Sequence, residues 1–299
     1  MTLRHDLEVA FGGAQLRVME RAIQTAAGLT ARTTPDGAVA YYVRGGKKLP
    51  IVGIHGFGGD KETWLMMAAL VSRARGVALI DLPGHGRSRD VDEVQASTRG
   101  HAEAVLRVLD ASGIDRAILC GNSMGGGVSL RIATTWPDRV AGIVLVASVG
   151  REIHDGGARA WAEAGENPLI PRVEDIDKFM ALVLERPPPV GKAVIRHVIT
   201  QRARRADLLA KLFRGFILAG GDEGVPRALE GIDKPALVIH GEQDRIIDRR
   251  VAEDLVQALP RAELVVMRGV GHAPQLEAPR HTARLVEAFA RRTERGGAT

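Results

Sequence analysis

The chain has 299 residues, 45% hydrophobic and 26% charged, enough for one large α/β domain or two smaller ones with a dry cleft, and unlike the composition of a disordered chain. Its single cysteine, Cys120, rules out an intrachain disulfide and a cysteine metal cluster. Net charge is +5, carried by arginines spread along the chain, and aromatics make up only 4%, which excludes an interleaved basic and aromatic nucleic-acid platform.

Residues 1–30 lack the continuous apolar run of a signal peptide core, and no stretch approaches the eighteen apolar residues of a membrane span. With a lone cysteine, a cytoplasmic location is the expectation. From Gln15 to Ala27, helical spacing puts Leu16, Met19, Ala22, Ile23 and Ala26 on one face. This amphipathic segment reads first as a helix packed on its own domain, with contact at a membrane surface as the alternative.

Ala38 to Val43 follows as an antiparallel edge strand. Short apolar, β-branched runs then alternate with helical patterns: Pro50 to Ile54, Val77 to Ile80, Ala117 to Cys120, Gly142 to Val146, Ala236 to Ile239 and Glu263 to Val266. Near-continuous apolar strands separated by helices predict a mostly parallel sheet covered on both faces. The core of this α/β fold therefore spans 31–150 and 232–299. Between them, 151–231 shows helical periodicity: Ile176, Phe179, Met180, Val183 and Leu184, then Val194 to Ile199, then Leu208 to Ile217. A structureless loop of that length is implausible inside a compact domain, so the segment reads as a helical cap. A terminal helix runs from about Pro279 to Arg292.

The strongest local signal is Gly121-Asn122-Ser123-Met124-Gly125-Gly126, between a strand and a helical run. A serine on a tight strand-to-helix turn needs small neighbours two residues away on each side, because the backbone there is strained and crowded. The competing reading is a glycine-rich helix start capped by Ser123. A serine nucleophile needs a base, and His272 lies in the loop after the last strand, facing the crevice where open α/β sheets bind ligands. The orienting acid falls between them in chain order, and Asp244 fits, directly after the strand Ala236 to Ile239. Glu242 follows that strand too closely to turn back, and Asp248 suits the cap of the next helix. Upstream, His55-Gly56-Phe57-Gly58-Gly59 provides backbone donors, with the amides of Phe57 and Met124 as the expected oxyanion hole. His55 reads as bracing that loop.

These four elements in this order resemble the α/β-hydrolase superfamily from about Val39 to Ala290, and Asp81-Leu82-Pro83-Gly84-His85-Gly86-Arg87-Ser88 is similar to its loop after the fourth strand. The oxyanion loop and serine turn look like the bacterial esterase and lipase group, including small monoacylglycerol-lipase-like enzymes. Carbon–carbon hydrolases of ring-cleavage products share the Asn-Ser-Met-Gly-Gly turn but usually carry tryptophan after the catalytic histidine, where this chain has Ala273. The resemblance therefore implies a carboxylic-ester hydrolase working through an acyl-enzyme on Ser123, with a small-molecule ester as its partner and no metal or organic cofactor. A carbon–carbon hydrolase or a catalytically silent binding protein is the alternative. Ser123 argues against the aspartate-nucleophile dehalogenases and epoxide hydrolases. In the cap, Phe179, Met180, Leu184, Phe213, Phe216 and Ile217 are candidates to line an acyl pocket. The sequence assigns no oligomeric state.

Overall fold

The computed structural model describes residues 3–150, 167–170, 172–219 and 221–296. Each of the six apolar runs named above from Pro50 to Val266 is a strand, two residues longer than its expected span. The strands are β3 (Lys48–Ile54), β4 (Arg75–Ile80), β5 (Ala117–Asn122), β6 (Val140–Val146), β7 (Ala236–Gly241) and β8 (Ala262–Met267). They pair in parallel and, with β1 (Thr30–Thr33) and β2 (Ala40–Arg44), form one sheet of order β1-β2-β4-β3-β5-β6-β7-β8.

The other two strands correct the expected edge. Ala38 to Val43 corresponds to β2 (Ala40–Arg44), which is antiparallel to β4 and second in the sheet. The edge itself is β1 (Thr30–Thr33), paired antiparallel with β2. Its four residues, Thr-Ala-Arg-Thr, are all exposed, so it carries none of the apolar alternation by which a half-buried strand is read.

Alternate strand residues face two layers of helix, as the two-residue period of a pleated strand requires. Val52, Ile54, Leu119, Ile143, Leu145 and Val238 pack against α3 (Thr98–Ala111), α4 (Met124–Thr135) and α8 (Arg249–Ala258). On the other face, Ile51, Val77, Leu79, Ile118, Val144 and Leu237 meet α2 (Leu65–Leu70) and α10 (Pro279–Gly296). Cys120 belongs to this second layer, fully buried. Burial pushes its thiol well above the ordinary range, so it is a small apolar core residue with no thiolate to offer.

Three helices fall in the described part of the segment expected to be a cap: α5 (Ile176–Val183), α6 (Lys192–Arg204) and α7 (Ala206–Leu218). The expected cap residues 151–166 lie outside the described residues. Phe213, Phe216 and Ile217 of α7 enter the core layer of α3 and α4, fixing the cap to the body through about 1.5–3 kcal/mol for each large buried side chain.

The N-terminal helix α1 spans Leu3–Ala26, twelve residues longer at its start than the expected segment. It lies along cap helix α6 and touches α2. The expected apolar face is split. Leu16 and Ile23 turn inward, while Met19, Ala22 and Ala26 are exposed. The inner face is instead set by Val9, Gly12 and Gly13. A Cβ at Gly12 would fall on the carbonyl of Ala193, and one at Gly13 on the His197 ring. These glycines let two helix backbones approach closely.

Candidate active site

The C-terminal ends of four of the five successive strands β3-β5-β6-β7-β8 carry the residues singled out in the sequence. β3 leads into His55 to Gly59, β5 into Ser123, β7 into the Asp244 loop and β8 into the His272 loop. The sheet order thus gathers motifs that are far apart in the chain at one edge.

Ser123 has φ 52° and ψ −115°, a left-handed conformation that costs a non-glycine residue on the order of 1–3 kcal/mol. Tight packing over-determines it. A Cβ at Gly121 would overlap the carbonyl of Gly125, one at Gly125 the carbonyl of Ile54, and one at Gly126 the Ser148 hydroxyl. The Ser123 amide donates to Val146 O at 3.0 Å. Ser123 precedes α4, but its side chain accepts no capping bond. The hydroxyl is therefore not used as a helix cap, which removes the competing reading of the glycine-rich turn. Met124 opens α4, where a first-turn amide has no carbonyl of its own helix to meet.

The loop expected to supply the oxyanion donors sits directly beside this turn: a Cβ at Gly56 would lie 3.1 Å from the Ser123 Cβ. Phe57 packs edge-on to Phe213 and His85, with ring centroids 5.1 and 6.0 Å apart. His55 braces the loop as expected: its Nε2 accepts from the Leu82 amide at 3.0 Å. Asp81 adds a second brace, accepting from the Lys61 amide at 2.8 Å, from Lys61 Nζ at 2.7 Å and from the Arg87 amide at 2.9 Å. Behind the loop, His55, His85 and His101 form a buried row of rings with centroids 5.1 and 6.0 Å apart. Burial pushes all three below the ordinary histidine value, His101 to about 3. They are neutral at pH 7 and fully enclosed, so none of them serves a surface-accessible substrate as a base.

Asp244 and His272 are joined. Nδ1 of His272 lies 2.8 Å from Oδ2 of Asp244, and Oδ1 of the same carboxylate accepts from the amides of Ile246 and Ile247 at 2.8 and 3.0 Å. The Asp244 side chain is fully buried. Burial alone would raise its carboxyl, but adjacent His272 and the two amides hold it below the ordinary aspartate value. The rival acids are used elsewhere. Asp248 caps α8 by accepting from the Arg250 amide, and Glu242 accepts from the Gln243 side chain at an exposed position.

Two residues hold the histidine loop that sequence reasoning passed over. The Asn122 side-chain amide donates to Val146 O at 3.0 Å and to His272 O at 3.2 Å. Glu277, on α9 (Pro274–Glu277), accepts from the Gly271 amide at 3.0 Å and the Ala273 amide at 3.2 Å. Its Oε2 also accepts from the amides of Glu185 and Arg186 at the end of α5, both at 2.8 Å. The His272 amide itself donates to Val183 O at 3.0 Å. Histidine loop and cap are thus bonded together. For both side chains the sequence signal was only position: one beside the serine, the other five residues after the histidine.

Of the candidate pocket residues, Phe213 touches the oxyanion loop, while Phe216 and Ile217 are committed to core packing. Phe179 and Leu184 are buried and Met180 is half-buried. The Arg202 guanidinium stacks over Phe179 at 4.9 Å, and its Nη2 donates to Leu169 O at 3.0 Å and to Phe57 O at 3.4 Å. Burial lowers this arginine to about 10. Among the described residues, no group of three or more histidine, cysteine or carboxylate side chains is placed to hold a metal ion.

Residues 51–286 match the alpha/beta hydrolase family. The chain is similar to the dihydrolipoyllysine-residue acetyltransferase component of the acetoin cleaving system of Pseudomonas putida, 33% identical over 81% of this chain and 64% of that protein. It therefore spans less than two-thirds of that relative's length. Similarity to lipase 1 of Psychrobacter immobilis is 30% over 80% of this chain and 76% of the lipase. In three dimensions the chain resembles a membrane phospholipase A, a bacterial virulence factor, with a TM-score of 0.85 and 29% identity over 95% and 92% of the two chains. The family match covers well over half of the sequence, and the protein belongs to the alpha/beta hydrolase family, with lipase-like relatives.

Proposed function

We infer that the protein is a serine hydrolase of carboxylic esters, acting on short-to-medium acyl or monoacylglycerol-like substrates through an acyl-enzyme on Ser123. The observation that carries this reading is the Asp244–His272 bond of 2.8 Å, in a loop tied by Asn122 to the strained turn that presents the Ser123 hydroxyl.

In this reading Asp244 holds the Nδ1–H tautomer of His272, leaving Nε2 free to take a proton. His272 Nε2 removes the Ser123 proton as Oγ attacks the ester carbonyl. The carbonyl oxygen becomes an oxyanion held by the amides of Phe57 and Met124. The tetrahedral species collapses, the C–O bond to the alcohol breaks, and imidazolium returns the proton to the leaving oxygen. Water then adds to the acyl-enzyme with the same histidine as base, and Ser123 leaves with its proton restored. No step calls for a metal. Lipases among the relatives and monoacylglycerol lipases of vertebrates support the ester class, as does Ala273 in place of a bulky ring after the histidine.

The test is turnover of p-nitrophenyl esters of increasing acyl length, alongside a vinylogous dienoate. The reading expects ester cleavage that disappears in Ser123→Ala, with slow or absent dienoate cleavage. Undiminished ester turnover in that variant, or dienoate preferred over every ester, would overturn it.

A further inference from the structure

The two faces of α1 differ in what they meet. Val9, Gly12, Gly13 and Gln24 are buried against the rest of the protein. At 100° per residue, Leu7, Phe11, Ala14, Val18 and Ala22 fall in one stripe on the opposite side. All five are exposed, with Leu7 at 61%, Phe11 at 62% and Val18 at 72%. A solvent-facing helix surface is ordinarily polar, and here the outward stripe is the apolar one. Exposed Arg17 and Arg21 border it on one side. Helix α6, laid along α1, contains no acidic residue.

We propose that this outward face of α1 docks on the surface of an anionic lipid bilayer. The stripe inserts Leu7, Phe11 and Val18 into the boundary between headgroups and acyl chains, as an interfacial amphipathic helix does. Arg17 and Arg21 lay their aliphatic stems along the apolar boundary and put their guanidinium groups among lipid phosphates. The helix lies on the bilayer and does not cross it, since no helix among the described residues is long and apolar enough to span one. A second copy of the chain fits the face less well. The three large side chains and two alanines offer roughly half of the ~800 Å² per partner that a stable dimer buries. Docking on lipid would also place the cap side of the molecule, joined to α1 through α6, toward the bilayer.

The experiment is flotation of the full chain with vesicles of phosphatidylcholine alone and with one-third phosphatidylglycerol, and it needs no catalytic readout. The protein is expected to float with the anionic vesicles, less with neutral ones, and less as salt is raised. Phe11→Glu with Val18→Glu should weaken partition to both vesicles by at least about tenfold. Arg17→Gln with Arg21→Gln should weaken it about fivefold per arginine on the anionic vesicles only. Both pairs replace exposed side chains, so thermal melting should match the parent, and the arginine pair keeps the test valid if the glutamates disturb the helix. The proposal is overturned if the parent does not float with either vesicle, or if both variant pairs float as it does. It is also overturned if sedimentation without lipid shows a dimer that Phe11→Glu with Val18→Glu dissociates, which would make the stripe a contact between copies.

Discussion

Asn122 donates its side-chain amide to the backbone carbonyl of His272 across 3.2 Å, and to Val146 O across 3.0 Å. The residue before Ser123 therefore ties down the loop that carries His272. Replacing Asn122 by Ala leaves two buried carbonyls without this donor, at a cost of about 1–3 kcal/mol. The expected result is a lower melting temperature and a kcat reduced about tenfold, with KM changed little. An unchanged kcat would show that the His272 loop is held by other contacts.

Glu277 is a carboxylate surrounded by backbone donors, bonding to Gly271 and Ala273 on the histidine loop and to Glu185 and Arg186 on the cap. Glu277→Ala should lower stability by about 1.5–3 kcal/mol, the range for a hydrogen bond to a charged group, and should lower kcat as well. Glu277→Gln keeps one acceptor oxygen but turns its NH2 toward two backbone N–H groups, and is expected to recover only part of the melting temperature. Equal loss in both variants would mean that the charge, rather than the acceptor geometry, is what holds the two segments.

Asp244 orients His272 and is itself held by two amides. Asp244→Asn preserves the shape but presents the wrong tautomer, and kcat should fall by about 10⁴-fold with near-parent melting. The carboxyl lies below its ordinary 3.8 in the folded protein. Its contribution to stability is therefore present above that value and is lost as the pH falls through the lower folded-state value. Urea melts of parent and Asp244→Asn between pH 6 and pH 3 should show the parent's extra acid sensitivity.

Glu20 shows the opposite sign. Burial of α1 against the core, and then the charge of Glu62, raise its carboxyl from 4.5 to about 7. The folded state binds this proton more tightly than the unfolded chain, so its favourable contribution is full below pH 4.5 and is lost as pH rises through 7. Glu20→Gln should melt higher than the parent at pH 8 and equal to it near pH 4.5. Parallel profiles for the two proteins would show that Glu20 is not desolvated by the packing of α1.

What the sequence made legible follows from where the chemistry is written. A parallel strand buried on both faces is a run of apolar residues, so β3 to β7 could be read from Ile51, Val144 or Val238 and their neighbours. The serine turn was legible because its glycines stand where backbone or the Ser148 side chain leaves no room for a Cβ. Strand β1 was hidden, since its Thr-Ala-Arg-Thr is exposed throughout and owes its conformation to pairing with β2. The inner face of α1 was misjudged because Gly12 and Gly13 add no apolar signal. Their role appears only when Ala193 and His197 lie against them. Asn122 and Glu277 were missed as supports because a hydrogen bond to a distant backbone group leaves no periodic trace. Asp244 was set apart from Glu242 and Asp248 by its place after the strand. In the structure Asp244 meets His272, Glu242 accepts from the Gln243 side chain and Asp248 from the Arg250 amide.

The most direct measurement of the central claim is covalent labelling by a fluorophosphonate, followed by peptide mass analysis of the intact parent protein and Ser123→Ala. The account predicts one adduct per chain, on Ser123, formed quickly at pH 8 and absent from the variant. It also predicts labelling slowed by orders of magnitude in His272→Ala, where no base activates the hydroxyl. A parent protein that does not label, or one that labels equally well without Ser123, would contradict it.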